Sequence, residues 1–240
     1  MYDYKEGKKR VEEILRNDLE VKENNRLPKS GELTFENSYF SWVASIFIDI
    51  RESSTLFKEG NNNEISKLIK SFTSELIEIL RRGDNMREIG IIGDCVYSIY
   101  TTPLQQDLKD LYFRACYCNT FIIMLNKLLK RNNLPIFKAG IGLGVSKTLV
   151  IKVGRKNAGI NNKVWIGDSV VDASNFSSIA HKEGFENIVM STLFYDNLHP
   201  IHKKVEELFE KKYHYKYGYC YSGDVIMTEF NNWINNDFKD

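Results

Sequence analysis

The chain has no marked excess of charge, with 33 Lys and Arg against 32 Asp and Glu among 240 residues and a formal net charge of +1 at pH 7. This balance gives no global electrostatic footprint for nucleic acid or an anionic membrane. No stretch approaches the roughly 18 uninterrupted apolar residues of a membrane span, and the N-terminal segment has no apolar signal region. We therefore expect a cytoplasmic protein that binds neither nucleic acid nor membrane.

Cysteine is also scarce, and two further kinds of site are excluded on spacing. Four cysteines are present, and the Cys116 and Cys118 pair lacks the second pair that a zinc site needs, which indicates reduced structural thiols. Gly140, Gly142 and Gly144 do not form a dinucleotide fingerprint, because they lie inside a strand-like run and no helix opens after them. They instead predict close backbone approach or a bulge.

The hydrophobic pattern predicts an α+β domain with a β-α-β-β-α-β core and a mostly antiparallel sheet flanked by helices. An N-terminal helix and linker occupy residues 1–38, the core 39–190, and an α/β extension of the same domain 191–240. The predicted elements are a helix at 5–22, strands at 42–50, 86–92, 95–101, 136–145, 148–154 and 186–191, helices at 65–80, 105–131 and 200–211, a strand-to-helix break at Gly167, and strand-like residues at 213–221 before a short helix around Trp233.

Two aspartates stand where apolar runs end. Asp49 closes the run Trp42 to Ile50, and Asp94 follows Gly93 at a predicted hairpin tip. If the first strand lies beside the hairpin, the two carboxylates converge and bind two Mg²⁺ or Mn²⁺ ions, which suits chemistry on a nucleoside triphosphate. The alternative is a strand-capping aspartate and an ordinary turn.

Phosphate ligands follow the first aspartate. Arg51, Ser53 and Ser54 offer a cation, hydroxyls and backbone N–H groups at the start of the next helix. An ordinary helix N-cap explains the serines equally well. Further cations, Lys147, Lys152, Arg155 and Lys156, follow the glycine-rich strand, and a solvated face is their alternative interpretation.

Taken in order, the motifs resemble the class III nucleotidyl cyclases. They cover about residues 42–190 and read FIDIR at 47–51, IGD at 92–94, GIG at 140–142, and WIGDSV with AS at 165–174. The resemblance implies the cyclase βαββαβ fold, metal ligation by Asp49, Asp94 and the Ile50 carbonyl, and phosphate binding by Lys147. It also implies attack of the ribose 3′-hydroxyl on the α-phosphorus and a head-to-tail homodimer with composite sites.

Departures from the family pattern bear on the substrate. Gly90 and Val164 stand where other members of the family carry polar residues that hydrogen-bond to a purine base. Without those partners, the polar edge of a purine is left unpaired, which weakens its binding. The family's transition-state Asn and Arg correspond to Val171 and Asn175. Either the Asn175 amide or a cation from elsewhere must therefore take the arginine's role.

The segment 151–174 resembles the bacterial antiphage pyrimidine cyclases of the Pycsar type. That resemblance implies conversion of UTP, preferred to CTP, to the 3′,5′-cyclic monophosphate, with Mn²⁺ or Mg²⁺, as a signal for a separate effector. It also implies that an aromatic residue just before the first strand, Tyr39 or Phe40, restricts the base pocket.

Two alternative functions remain open, and a third is excluded by the sequence. A purine cyclase and a non-catalytic nucleotide sensor that kept the metal aspartates are the open ones. A diguanylate cyclase requires a Gly-Gly-Asp/Glu-Glu-Phe hairpin, whereas the chain reads Ile92-Gly93-Asp94-Cys95-Val96.

Overall fold

A computed structural model of the chain, which describes residues 1–59, 61–155, 159, 161–236 and 238, contains a nine-stranded sheet. Its strands are β1 (Glu20–Glu23), β2 (Asn37–Ile50), β3 (Met86–Ile92), β4 (Cys95–Thr101), β5 (Ala139–Gly154), β6 (Asn161–Ile166), β7 (Ile188–Ser191), β8 (Glu210–His214) and β9 (Gly218–Gly223). The α-helices are α1 (Tyr4–Arg16), α2 (Ser53–Glu59), α3 (Asn62–Leu80), α4 (Gln105–Arg131), α5 (Asp168–Ile179), α6 (Thr192–Leu198), α7 (Val205–Leu208) and α8 (Thr228–Asn236).

The main path of the sheet runs β3-β4-β2-β5-β7-β9-β8, while β1 pairs with β2 and β6 pairs with β5. Strand pairing is antiparallel except for the parallel pairs β1 with β2 and β5 with β7. The predicted α+β architecture with a mostly antiparallel sheet is therefore confirmed. The C-terminal strands β8 and β9 continue the same sheet as the core strands.

One face of the sheet packs against α3 and α4 and forms the main core. Alternate β2 residues, among them Ile46 and Ile48, point to this face and are fully buried. They meet the apolar stripe of α3, whose buried residues Phe72, Leu76 and Leu80 recur at helical spacing. Asn61 caps α3 by accepting from the backbone N–H groups of the first turn.

The opposite face carries α5, which lies directly on β5. A Cβ added at Gly140, Gly142 or Gly144 would come within 2.0–2.6 Å of a backbone atom of α5, the shortest distance being 2.0 Å from Gly142 to the carbonyl oxygen of Ala173. The close backbone approach predicted for these glycines is thus what the structure has, and there is no room for a side chain at these positions.

Small hydroxyl side chains position the first turn of α5. The backbone N–H of Ser169 donates to Ser146 Oγ at 2.9 Å, and Ser169 Oγ lies 3.1 Å from Thr148 Oγ1. All three residues are buried. These bonds satisfy polar groups at the start of the helix and fix its position on β5.

Several predicted boundaries were wrong. The strand expected from Trp42 starts at Asn37, because its first residues pair with both β1 and β5. The two strands expected at 136–145 and 148–154 are one strand, since Ser146 and Lys147 pair with β2 without a break.

The two ends of the chain also differ from expectation. The N-terminal helix ends at Arg16 rather than 22, and β1 follows it. The helix expected at 200–211 is replaced by the short helix α7 and the start of β8. The alternating aromatic residues of this region lie on the paired strands β8 and β9, where Tyr213 is opposite Tyr219.

Among the described residues, no helix combines the length and hydropathy needed to cross a bilayer. The cysteines are free, with Cys116, Cys118 and Cys220 buried and Cys95 partly buried. Burial raises the pKa of the Cys116 thiol to about 12, as expected of a structural thiol rather than a reactive one.

Substituting Gly142 by alanine should destabilise the fold, because the new Cβ would lie 2.0 Å from the Ala173 carbonyl oxygen. We expect a loss of about 2–3 kcal/mol of unfolding free energy, measured by urea denaturation. Gly31→Ala is the matched control, since nothing lies within 4 Å of a Cβ built at Gly31. Equal stability of the two variants would contradict direct packing of α5 on β5.

Candidate active site

The site is built where β2 ends beside the β3–β4 turn. Asp49 pairs with Cys95 of β4 on one side and with Gly140 of β5 on the other, and its side chain is 29% exposed. Burial raises the pKa of Asp49, the Arg51 guanidinium opposes that shift, and the negative charge of Asp94 adds to it. The two carboxylates are therefore near enough for their charges to interact.

Asp94 has an unsatisfied oxygen. Its Oδ2 atom is buried and has no hydrogen-bond partner among the described residues. A buried carboxylate oxygen without a partner is costly unless a cation binds it. Together with Asp49, this oxygen supplies the hard ligands that Mg²⁺ and Mn²⁺ prefer, so the residues present fit a divalent metal.

The protein contributes few ligands to such a metal. Within the described part of the chain, no group of three or more His, Cys, Asp or Glu side chains is arranged to hold an ion. Ile50, whose carbonyl is a further predicted ligand, ends β2 with its side chain buried in the core. A metal ion held here would need further ligands from a bound molecule or water to complete its coordination.

The Arg51 side chain is almost fully buried, and its donors are engaged by acceptors of the protein. Its side chain is 3% exposed and donates to Asp49 Oδ2 at 2.6 Å. It also donates to the Ser178 carbonyl at 2.6 Å and to the Asp49 carbonyl at 3.0 Å. Arg51 thus fixes the orientation of Asp49 and connects the end of β2 to the last turn of α5.

A cavity lies beyond the end of β2, next to Arg51. Its lining includes Arg51, Glu52, Thr55 and Lys138. Glu52 adopts a left-handed backbone conformation with φ of 55°, which costs roughly 1 kcal/mol or more for a non-glycine residue. Strain of this kind is concentrated at functional turns.

The predicted phosphate-binding serines lie at the start of α2, which begins at Ser53 beside this cavity. Ser53 is partly buried and Ser54 is exposed. Sequence reasoning missed Lys138, an exposed cation in the cavity wall whose carbonyl accepts from the Arg51 backbone N–H at 2.8 Å. Pairing the glycine-rich strand with the first strand would have revealed Lys138, because Ala139 lies opposite Ile50.

Asn175 is carried by α5, on the same face of the sheet as Asp49. Its carbonyl accepts from Ser178 Oγ at 2.6 Å, and the Ser178 carbonyl in turn accepts from Arg51. Asn175 therefore sits about one helical turn from the contact that holds Asp49 in place. Val171, on the same helix, is 54% exposed.

Phe40 and Lys147 lie together but far from Asp49. Lys147 Nζ is 5.6 Å from the Phe40 ring centroid, and Lys147 forms an ion pair with Glu23. Phe40 is within β2 rather than upstream of it, nine residues from Asp49, a separation of about 30 Å along a strand. A single copy of the chain does not bring these residues to the aspartates. Of the other cations in this run, Lys156 lies outside the described residues.

Comparison with known proteins gives relatives over the full chain. The chain is 48% identical over 239 residues to a uridylate cyclase of Treponema porcinum, which covers 100% of this chain and 83% of that protein. It is 28% identical over 246 residues to a uridylate cyclase of Gulbenkiania mobilis, covering 97% of this chain and 95% of that protein. No family model matches the chain.

Solved structures show the same fold. The adenylyl cyclase CyaB from P. aeruginosa superimposes with a TM-score of 0.64 at 16% identity, covering 78% of this chain and 95% of that chain. At this identity the match supports the architecture alone.

Replacing Asp94 by asparagine should remove metal binding without unfolding the protein. The substitution removes a charge beside Asp49, so we expect the melting temperature in EDTA to be equal to or above that of the unsubstituted protein. The rise in melting temperature that Mn²⁺ and nucleotide produce together should disappear. Asp196→Asn, an exposed aspartate of α6, is the control. An unchanged metal-dependent shift in Asp94→Asn would rule out Asp94 as a ligand.

Asp172 of α5 predicts a pH-dependent stability. Burial, followed by the charge of Asp168, raises the pKa of Asp172 to about 6. Between pH 3.8 and about 6, the native state keeps the Asp172 proton while the unfolded state loses it. The free energy of unfolding therefore falls as the pH rises through this range. Asp172→Asn should therefore stabilise the protein by about 1–2 kcal/mol at pH 7.5 and little at pH 4. An equal effect in urea denaturation at both pH values would contradict this.

Proposed function

Because the chain belongs to the uridylate cyclase family of class III nucleotidyl cyclases, we propose that it converts UTP, in preference to CTP, to the 3′,5′-cyclic monophosphate and pyrophosphate. The observation that carries the proposal is the placement of Asp49 beside Asp94, whose buried Oδ2 has no partner among the described residues. This pair suits the binding of a triphosphate through divalent metal.

Asp49 and Asp94 hold two Mn²⁺ or Mg²⁺ ions in this proposal, and the Ile50 carbonyl is a further ligand. Bound metal supplies charge neutralisation of the triphosphate and a lowered pKa for the ribose 3′-hydroxyl. The 3′-oxygen then bonds to the α-phosphorus, the bond from that phosphorus to the bridging oxygen breaks, and pyrophosphate leaves. The hydroxyl proton passes to solvent. Arg51 keeps Asp49 oriented, as its bond to Asp49 Oδ2 supports.

The β- and γ-phosphates occupy the cavity beyond β2 in this proposal. Lys138 is the exposed cation of that cavity, and Ser53 and Ser54 begin the adjoining helix. Arg51 adds positive charge to the wall but has its donors engaged with Asp49 and Ser178. Lys138 therefore meets the departing pyrophosphate more directly than Arg51 does.

The active form is a head-to-tail homodimer with composite sites. The separation of Phe40 from Asp49 along β2, about 30 Å, supports this, because a second copy is needed to bring Phe40 and the neighbouring Lys147 to the same substrate as Asp49. Asn175 serves the developing phosphoryl charge in place of the arginine that other cyclases carry.

Residues 39–190 form the catalytic core in this proposal, with 1–38 as N-terminal helix and linker and 191–240 as an extension of the same domain. Continuity of β7, β9 and β8 with the core sheet supports the last assignment. The cyclic nucleotide acts in the cytoplasm as an antiphage signal of the Pycsar type that activates a separate effector.

A non-catalytic nucleotide sensor is the second candidate. Val171 and Asn175 favour it, because they replace the transition-state Asn and Arg while the metal aspartates remain. A sensor binds nucleotide, raising the melting temperature, without releasing pyrophosphate.

Incubation of the purified protein with each of the four nucleoside triphosphates and Mn²⁺ tests the proposal. We expect cyclic UMP with stoichiometric pyrophosphate from UTP, a smaller yield of cyclic CMP from CTP, and no product from Asp49→Ala. Cyclic purine products alone would refute pyrimidine specificity. A nucleotide-dependent rise in melting temperature without pyrophosphate release would identify the sensor instead.

A further inference from the structure

The hairpin of β8 and β9 carries exposed aromatic side chains at the outer edge of the sheet. β8 is the last strand of the main path and lies four strands from β2, about 19 Å across the sheet. Tyr213 of β8 is 62% exposed, and Tyr219, opposite it on β9, is 61% exposed. Tyr215 in the turn is 71% exposed. Clustered aromatic exposure of this kind indicates an interaction surface, whereas single exposed rings do not.

The rings of this hairpin are held in place by one another. Tyr213 and Tyr219 pack edge to face, with centroids 5.2 Å apart and planes inclined by 63°. In the turn, the buried His214 ring stacks on Tyr217 with centroids 4.7 Å apart and planes inclined by 13°. Gly218 supplies the left-handed φ of 74° that closes the turn. A surface arranged in advance loses little conformational entropy when a ligand binds.

This surface is separate from the proposed catalytic site. Tyr221 packs on the main core and stacks on Tyr195 of α6, with centroids 3.5 Å apart. Tyr219 is two residues earlier on the same strand and therefore points to the same face, but it lies beyond the cover of α6 and is exposed. Cys220, between them, points to the other face and packs with residues of α5. Asp49 is on that α5 face, so the tyrosines and the catalytic aspartate are on opposite faces of the sheet.

Lysine side chains lie against the exposed rings. Lys211 Nζ is 4.9 Å from the centroid of Tyr219, and Lys216 Nζ is 5.5 Å from the centroid of Tyr215. Both lysines are exposed, and within the described part of the chain neither forms an ion pair. Residues 210–219 contain three lysines and one glutamate. The hairpin therefore carries a local positive charge, although the charge of the whole chain is balanced.

The combination of rings and cations decides what the surface can bind. Lysines on an edge strand also prevent pairing with another chain, but that role does not explain exposed tyrosines, which add apolar surface at the same edge. A ligand that uses both groups must present flat rings and negative charge together. Unpaired nucleotides do so, because their bases stack on aromatic side chains while their phosphates contact lysines. A duplex presents its phosphates but keeps its base faces stacked inside the helix.

We propose that the exposed side chains of the β8–β9 hairpin, which are Lys211, Tyr213, Tyr215, Lys216 and Tyr219, form a binding surface for single-stranded nucleic acid. The inference goes beyond the proposed function and does not rest on it. It also departs from the expectation based on net charge, because that balance averages over the whole surface and a small basic cluster does not alter it.

Fluorescence anisotropy with a labelled mixed-sequence DNA strand of about 20 nucleotides, in EDTA and about 50 mM salt, tests the surface. We expect the single strand to bind at least about 10-fold more tightly than the matched duplex. Tyr213→Ala combined with Tyr219→Ala should raise the Kd at least about 10-fold, because two stacking rings are lost. Tyr4→Ala removes a tyrosine that is 71% exposed on α1 and is the control. If the double variant does not fold, as judged by circular dichroism, leucine replaces alanine at both positions.

The salt dependence of binding tests the lysines. Lys211→Gln combined with Lys216→Gln should lower the slope of log Kd against log salt concentration by about 1.4, since each phosphate contact on a single strand contributes about 0.7. Lys67→Gln combined with Lys70→Gln removes the same charge from exposed positions of α3 and should leave the slope unchanged.

The outcomes keep this proposal apart from the proposed function. No binding of the single strand in about 50 mM salt would overturn the surface, as would equal affinity for the duplex or a Kd that the tyrosine substitutions do not change. Displacement of the strand by polyglutamate of equal charge would identify an acidic polypeptide as the ligand instead. Asp49→Ala should bind the strand with unchanged Kd, and loss of binding in that variant would place the strand in the catalytic site. Formation of cyclic UMP is unaffected by any of these results.

Discussion

Direct packing of α5 on β5 is the constraint on which the site depends. Gly142 lets the carbonyl of Ala173 occupy the space of a side chain, so the helix lies closer to the sheet than ordinary packing allows. That placement brings the Ser178 carbonyl to Arg51, and Arg51 in turn holds Asp49. A glycine-rich strand therefore sets the position of a carboxylate on the neighbouring strand through a helix and a buried guanidinium.

The carboxylate pair costs folding free energy, which the surrounding structure partly offsets. Two negative groups and an unsatisfied oxygen at Asp94 oppose folding when no cation is bound. Arg51 offsets part of this cost by donating to Asp49 Oδ2, but no described residue does the same for Asp94 Oδ2. The asymmetry leaves one carboxylate positioned in advance and the other ready for a ligand. A cation bound by Asp94 Oδ2 would therefore stabilise the folded state.

Local patterns predicted those parts of the fold that depend on local physics. The turn at Gly93-Asp94 and the helix Gln105–Arg131 follow from turn chemistry and apolar spacing, and both are observed as expected. Sequence could not show that Arg51 is buried, because its carbonyl partner at Ser178 is more than a hundred residues away. Lys138 was missed for the same reason: its place in the cavity depends on the register between two distant strands. Long-range pairing decides such positions, and a single sequence contains no direct record of it.

The length of β2 and β5 has a consequence for how a complete site is made. Their pairing is continuous from Ser38 to Ile50, so groups at opposite ends are held apart by a rigid ladder rather than by a flexible loop. No hinge in this ladder can bring Phe40 to Asp49, because all intervening residues are paired with β5 and those from Val43 onward are also paired with β4. If both ends act on one nucleotide, they belong to different copies of the chain, and a two-fold arrangement gives each copy one site with the contribution of the other. In such an arrangement the same rigid ladder would fix the distance between the contributions of the two copies.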